Sequence, residues 1–226
     1  MSFKRFIAEL NGNRVEGELI KTIIYSLLTS LFFFVIIYFV RLRYIENFFP
    51  KYAMALFFLA VSYALISATT RQVKAYQGFA CMSGMMIGMT AGMMGFLPGF
   101  YIASTNGMFI GGFFGVAVGM FLGIWNGKCC GIMGVLEGMM AGFMGGLMGA
   151  MTAFMLLNDH LKLASLLVFI ISAAILFGLN YMIYLETKET ARERKESQIT
   201  TIVLTIALIV ISTYLMLFGP RSAIFS

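Results

Sequence analysis

Charged residues and histidine are both scarce in this sequence. Asp, Glu, Lys and Arg make up 12% of the 226 residues, whereas a soluble domain normally carries about 25%. The only histidine, His160, argues against haem ligated by two histidines, excludes an H-E-x-x-H zinc site and leaves no Ser/His/Asp set. Walker and dinucleotide-binding motifs are also missing. We therefore predict that the chain is neither an enzyme nor, by itself, a primary pump.

Cysteine is scarce as well, with three residues at Cys81, Cys129 and Cys130. An odd number that includes a vicinal pair does not form a disulfide framework. All three lie at the start of apolar segments. The pattern leaves two interpretations open, thiols at a membrane edge or ligands for a metal.

What the sequence does contain is long apolar runs. Hydrophobic residues make up 60% of the chain and the mean hydropathy is +0.90. Seven runs are long enough to cross a bilayer as helices of about 20 residues, and in lipid only helices satisfy their own backbone groups. The predicted spans are Thr22–Val40, Tyr52–Thr70, Phe79–Ser104, Met108–Asn126, Cys129–Leu157, Leu163–Leu185 and Thr200–Gly219.

These runs predict an all-α, polytopic transmembrane bundle with an inner three-helix core rich in glycine and methionine. We assign residues 1–226 to a single membrane domain, divided into a two-span segment (1–78), the core (79–157) and a second two-span segment (158–226). The first, second, sixth and seventh spans, rich in Leu, Ile, Phe, Val and Ala, are predicted to face lipid on the outside.

The basic residues lie between the apolar runs. They are more numerous on the side that holds the N-terminal tail, which predicts a cytoplasmic N-terminus in a multi-pass protein of the cell membrane. The scattered Lys and Arg form no patch, so the net charge of +6 does not indicate a nucleic-acid partner. The expected partner is the lipid bilayer.

Glycines recur at every fourth residue in the core. Lipid competes equally for apolar side chains, so membrane helices associate through close backbone contact at such small residues. The pattern, a glycine zipper, predicts a tightly packed inner bundle, and equally fits channels, transporters and inert scaffolds. The residues assigned to this packing are Gly111, Gly115, Gly119, Gly123, Gly138 and Gly142. Pro98 lies inside the third span and predicts a kink or break near Leu97.

Most of the 19 methionines also lie in the core, at spacings that place them on one face of each helix. The third span has Met82, Met86, Met89 and Met93 after Cys81. The fifth has Met140, Met144 and Met148 after Cys129 and Cys130. If these two spans face each other, thioethers line both walls of one seam. Soft sulfur ligands select Cu(I) above other ions. The alternative is that methionine fills irregular gaps beside glycine.

Met82-x-x-x-Met86 and Met140-x-x-x-Met144 stand beside Gly-x-x-x-Gly repeats. This combination resembles the second and third helices of Ctr-type copper transporters, which implies a copper path lined by thioethers. Those transporters have three spans and a methionine-rich extracellular tail, and this chain has neither. The pair Cys129-Cys130 is similar to the paired cysteines of mercuric-ion transport proteins. Neither resemblance extends to membership of a family.

Glu137 is the only acidic residue of the core. A carboxylate inside a span is costly and by default marks an ion or proton pathway. Asn106 and Asn126, with Lys128, are its candidate partners. The alternative is a protonated acid that is hydrogen-bonded to a carbonyl of a neighbouring helix.

Together these features favour a transporter or channel for a soft metal cation such as Cu(I). No other cofactor is indicated. The alternative is a non-transporting membrane scaffold or assembly factor in which glycine and methionine serve packing alone. A third reading is an oligomeric pore, with other copies of the chain as partners.

Overall fold

The computed structural model describes residues 15–40, 52–75, 80–186 and 198–220. These residues form seven α-helices and no strand, which confirms the predicted all-α bundle. The helices are α1 (Val15–Val40), α2 (Met54–Ala75), α3 (Ala80–Asn106), α4 (Met108–Gly127), α5 (Gly131–Met155), α6 (Leu161–Glu186) and α7 (Gln198–Phe218).

Each helix carries an apolar stretch of 20 to 25 residues. At 1.5 Å per residue such a stretch is about 30 Å long or more, the thickness of a bilayer's hydrocarbon core. Seven spans of this length and composition make the chain a multi-pass membrane protein. Successive helices run in opposite directions, so α2, α4 and α6 end where α3, α5 and α7 begin. We call that side of the bundle the Lys128 end and the opposite side the His160 end.

The helices α3, α4 and α5 pack against one another far more closely than any other helices. Their glycines explain this contact. A Cβ added at Gly95 of α3 would lie 2.6 Å from the carbonyl oxygen of Gly142 in α5 and 3.1 Å from that of Gly115 in α4. One position on α3 therefore meets the backbones of both other helices.

A tight turn joins α4 to α5. The residues Lys128–Cys130 form one turn of 3-10 helix, and Gly131 then has a φ of 73°. This left-handed conformation favours glycine, because it has no Cβ to clash with the backbone. The short turn keeps the glycine rows of the two helices side by side from their first residues.

The helix α2 lies inside the bundle, where it contacts α1, α3, α6 and α7. Its most apolar stretch is 67% buried, against 17% in α1, 28% in α6 and 33% in α7. The prediction that the second span faces lipid is therefore wrong. Its hydroxyl side chains explain the burial, since Tyr63 shares a hydrogen bond of 2.5 Å with Ser212 of α7, and Thr69 accepts one of 3.2 Å from the amide of Asn180 in α6.

Pro98 does not break α3, which is continuous from Ala80 to Asn106. Of the two predicted outcomes near Leu97, the break is therefore wrong, and the kink stays a prediction. Leu97, Pro98 and Gly99 are all buried, so neighbouring helices surround the turn that lacks one N–H donor. In membranes, packing of this kind allows proline within a helix.

Candidate functional site

The helix α5 has two faces of opposite composition. Its glycine face is buried and is formed by Gly134, Gly138, Gly142, Gly146 and Gly149. The other face is exposed along the whole helix. We call it the methionine face, and it consists of Met133, Glu137, Met140, Met144, Met148, Met151 and Met155. At 100° per residue these seven side chains fall within an arc of about 80°.

The glycines assigned to packing lie where α4 meets its neighbours. A Cβ at Gly115 would lie 2.7 Å from the carbonyl oxygen of Gly95, and one at Gly119 would lie 2.8 Å from that of Gly142. Gly123 meets Gly138 even more closely, and Gly111 meets Ala103 of α3. At Gly115, Gly119 and Gly123 an added Cβ would meet backbone atoms of the neighbouring helices, which leaves no space for an ion to pass there.

The described methionines of α3 and α5 do not line a shared seam between the two helices, so the predicted seam is wrong for Met89, Met93, Met140, Met144 and Met148. Met140, Met144 and Met148 are 62%, 51% and 62% exposed. The contact between α3 and α5 is made by glycines, because only side-chain-free positions let two backbones approach so closely. With glycine on the contact side, the helical period turns the methionines of α5 away from α3.

Of the four methionines predicted to line one face of α3, the side chains of Met89 and Met93 are described. Met89 is exposed and Met93 is partly buried. Met89 follows Gly88, where an added Cβ would lie 4.0 Å from the Cβ of Ala141 in α5. The exposed thioether of Met89 is therefore at the level of Met140 and Met144 along the bundle.

The remaining sulfur ligands proposed from the sequence are only partly described. The side chains of Cys81, Met82, Met86 and Cys129 lie outside the described residues, and their role as ligands stays a prediction. Cys130 is partly buried and packs with Met182 of α6 against an apolar cluster that includes Val73 and Ile87. In the described part of the chain, no group of three or more His, Cys, Asp or Glu residues is placed to hold a metal ion.

The three polar residues assigned to an ion pathway do not form one group. Glu137 is exposed on α5 near the Lys128 end, and Asn126 is buried in α4 near the same end. Asn106 is buried at the His160 end, where it donates a hydrogen bond of 2.7 Å to the carbonyl of Leu215 in α7. Because α4 separates Asn106 from Asn126 by about 30 Å, the grouping of Asn106 with Glu137 is wrong.

Two basic residues in the bundle were missed. The predicted second span ended at Thr70, which placed Arg71 and Lys74 in a loop. In the structure, α2 continues to Ala75 and both side chains are buried. Arg71 Nη1 donates a hydrogen bond of 2.7 Å to Thr22 Oγ1 of α1. Lys74 Nζ lies 3.9 Å from the ring centroid of Trp125 in α4. The signal was present in the sequence, since no helix-breaking residue separates Thr70 from Ala75.

Comparison with known proteins gives no relative. No family model matches the chain, and no curated protein and no solved structure shows significant similarity to it. The functional argument therefore depends on the residues and the geometry described above.

Proposed function

We propose that the chain is a transport subunit for a soft metal cation, with Cu(I) as the cargo, and that the ion moves along the methionine face of α5. The observation that carries this proposal is the separation of residue types on one helix. The contacts with α3 and α4 are made chiefly by the glycine face. The exposed side of the helix carries six thioethers in one row together with one carboxyl group, and beside that row lie the apolar side chains of Ile132, Leu136, Phe143, Leu147 and Phe154.

The chemistry of thioether sulfur supports a path for Cu(I). Thioethers are soft ligands that favour Cu(I) over hard cations, and they bind it without releasing a proton. From Met140 to Met155 they recur every three or four residues, so successive positions lie about 4.5 to 6 Å apart along the axis. An ion could pass from one sulfur to the next in short steps across most of the span.

The position of Glu137 adds a charge to this path. It lies six residues after Gly131, the first residue of α5, or about 9 Å along the helix axis. A carboxylate near the start of a row of neutral ligands would attract a cation and offset its charge. It stands on the same face as the methionines, as a shared pathway requires.

The competing function is a non-transporting scaffold or assembly factor. The backbone contacts among α3, α4 and α5 favour it, because a scaffold needs close packing and no ligands. It predicts that any apolar side chain of similar volume could replace the methionines, since packing depends on shape and volume. The two functions therefore differ in what a change from methionine to leucine does.

The test replaces Met140, Met144 and Met148 together by leucine, in chains reconstituted into liposomes. Uptake of Cu(I) is followed with a Cu(I)-specific chelating dye trapped inside. We expect uptake to fall by about tenfold or more, because even losing a group that only supports a metal ligand costs this much. The fold should survive, since swaps of leucine for methionine conserve volume.

The control replaces Met108, Met120 and Met139, which lie off the methionine face, by leucine. It removes the same number of thioethers and should leave uptake near that of the unaltered chain. Equal uptake by both triple variants and the unaltered chain would refute the proposed path and favour the scaffold. Equal loss in both variants would also count against the methionine face.

A further inference from the structure

The described contacts of α5 lie on one side of the helix. It packs against α3 and α4 and against the short turn that precedes it. The methionine face points away from all of them. Within the part of the chain that the structure describes, nothing covers this face, and we compare lipid with another protein surface as its surroundings in the membrane.

We take the exposed face of α6 as the example of a lipid-facing surface in this chain, and we compare its composition with that of the methionine face. It carries Leu163, Leu167, Ile170 and Ile171, all exposed, among other aliphatic side chains. The methionine face is exposed to a similar extent but includes a carboxyl group. Two uncovered surfaces of one molecule therefore differ in composition, which indicates that they meet different surroundings.

Of the residues on the methionine face, Glu137 is the one for which contact with lipid is least favourable. It makes no hydrogen bond or ion pair with any part of the chain that the structure describes. Hydrocarbon offers a carboxyl group neither a donor nor an acceptor, so such residues within a span usually face the interior of a bundle or a water-filled cavity. A neighbouring protein surface with a polar group at the same depth would satisfy it.

A second copy of the chain supplies that group by symmetry. All copies inserted in the same direction have Glu137 at the same depth, and the rotation axis of a closed assembly then runs along the membrane normal. If α5 lies beside that axis, the Glu137 side chain of one copy meets the Glu137 side chain of the next. One carboxylic acid can donate a hydrogen bond to the other carboxylate, so the residue is its own complement.

We propose that a second copy of this chain covers the methionine face of α5, with the Glu137 side chains hydrogen-bonded to each other between copies. Met140, Met144 and Met148 of both copies then line the interface at successive turns. The use of this interface as an ion path rests on the proposed function, whereas the contact between copies does not. The site is incomplete in one chain, because the facing thioethers come from the partner.

An apolar groove beside the methionine face extends the same surface. It has a volume of about 490 Å³ and lies between α4 and α5, lined in part by Phe109, Phe113, Phe143 and Leu147. The rings of Phe109 and Phe113 are largely exposed. They provide apolar area next to the thioethers, which a second copy could bury together with the face.

Photo-crosslinking tests the contact on the full chain in its membrane. A photoreactive benzoylphenylalanine replaces Met144 in one variant and Ile170 of α6, an exposed residue that we assign to lipid, in the control. We expect illumination to yield a covalent product of two copies from position 144 and none from position 170. Absence of this product at position 144, or equal amounts at both positions, would overturn the proposal.

Substitution of Glu137 tests the hydrogen bond between copies. Association in bilayers, measured by energy transfer between labelled chains, should weaken by roughly 3- to 15-fold for Glu137→Leu, because one interhelical hydrogen bond is lost. Glu137→Gln keeps a donor and an acceptor and should associate more tightly than Glu137→Leu. If Glu137→Leu associates as tightly as the unaltered chain, the carboxyl group faces lipid and the inference is wrong.

These results separate the interface from the proposed function. A chain that moves Cu(I) through its methionine face without forming the crosslink would keep the function and lose the interface. A chain that forms the crosslink but moves no Cu(I) would keep the interface and lose the function.

Discussion

The three glycine-rich helices and the four helices around them pack by different contacts within one membrane. In α3, α4 and α5 the backbones touch directly, as at Gly95 and Gly142. Between α2 and its neighbours, side chains form the contact, as in the hydrogen bond between Tyr63 and Ser212 and the one that Arg71 donates to Thr22. Lipid cannot drive apolar helices together, so both regions rely on contacts that lipid does not offer.

The difference shows where chemistry can take place. Backbone contact leaves no space between helices and no side chain to bind a ligand, so the glycine region is closed to ions. The thioethers that we propose as ligands are on the outward side of α5. Removing one group from a side-chain contact should lower the free energy of unfolding only moderately, whereas adding a single Cβ at a backbone contact should force the helices apart. The three substitutions below test this contrast, from the largest expected effect to the smallest.

The substitution Gly95→Ala should have the largest effect. Its Cβ would lie within 2.6 Å of the carbonyl oxygen of Gly142 and 2.8 Å of the Gly146 nitrogen. Because these are backbone atoms, the helices must separate, and we expect the free energy of unfolding to fall by about 3 kcal/mol. Denaturant titration of the chain in mixed micelles measures this change.

The matched control is Gly178→Ala in α6, where an added Cβ meets nothing within 4 Å. Alanine favours a helix over glycine by about 0.5 to 1 kcal/mol, so this variant should be as stable as the unaltered chain or slightly more stable. A similar loss in both variants would mean that helix propensity, and not backbone contact, governs the glycine region.

The substitution Thr22→Val should have an intermediate effect. It keeps the side-chain shape but removes the acceptor of the hydrogen bond from buried Arg71. Hydrogen bonds to charged groups contribute about 1.5 to 3 kcal/mol, and we expect a loss in the free energy of unfolding within this range. The measurement is again denaturant titration.

Thr29→Val is the control on the same helix. Among the described residues, the Thr29 hydroxyl donates to carbonyls of its own helix, those of Tyr25 and Ser26. Its replacement should change stability by less than about 0.5 kcal/mol. Should Thr22→Val be equally harmless, the hydrogen bond between α1 and α2 does not contribute to holding them together.

The smallest effect is expected at Tyr63, whose hydroxyl group joins α2 to α7 through Ser212. The change Tyr63→Phe removes a neutral hydrogen bond, which contributes about 1 kcal/mol in a membrane. The double variant with Ser212→Ala should lose less than the sum of the two single losses, because they share one contact. Strictly additive losses would show that the two hydroxyl groups do not interact.

The sequence predicted the seven helices well because the bilayer restricts the choice. An apolar run of sufficient length can satisfy its backbone only as a helix, and α4 begins at Met108 as predicted and ends one residue later than predicted. The error at Arg71 and Lys74 arose because their place in the bundle depends on other helices. Charged residues at the end of a run look like a loop, and only partners on α1 and α4 show that they belong to a buried helix.

For the candidate site, the sequence predicted which residues share a face but not the direction in which that face points. The spacing of Met140, Met144 and Met148 correctly placed them on one face of a helix, since period 3.6 is a local property. The direction of that face was predicted incorrectly. Either the glycine row or the methionine row of α5 could pack against α3, and the spacing alone does not say which row does so. The structure decides for glycine, whose backbone approaches α3 and α4 more closely than any thioether allows.

By itself, the sequence determined that this chain crosses a membrane in seven helices and that its methionines and glycines occupy separate stripes. Both follow from local rules, namely the hydrogen-bonding needs of a backbone in hydrocarbon and the turn of a helix. Only the tertiary structure decided that α2 lies inside, that α3, α4 and α5 close against one another, and that the methionine face with Glu137 points outward. These depend on which surfaces fit together, and that fit is a property of pairs of helices which no single stretch of sequence contains.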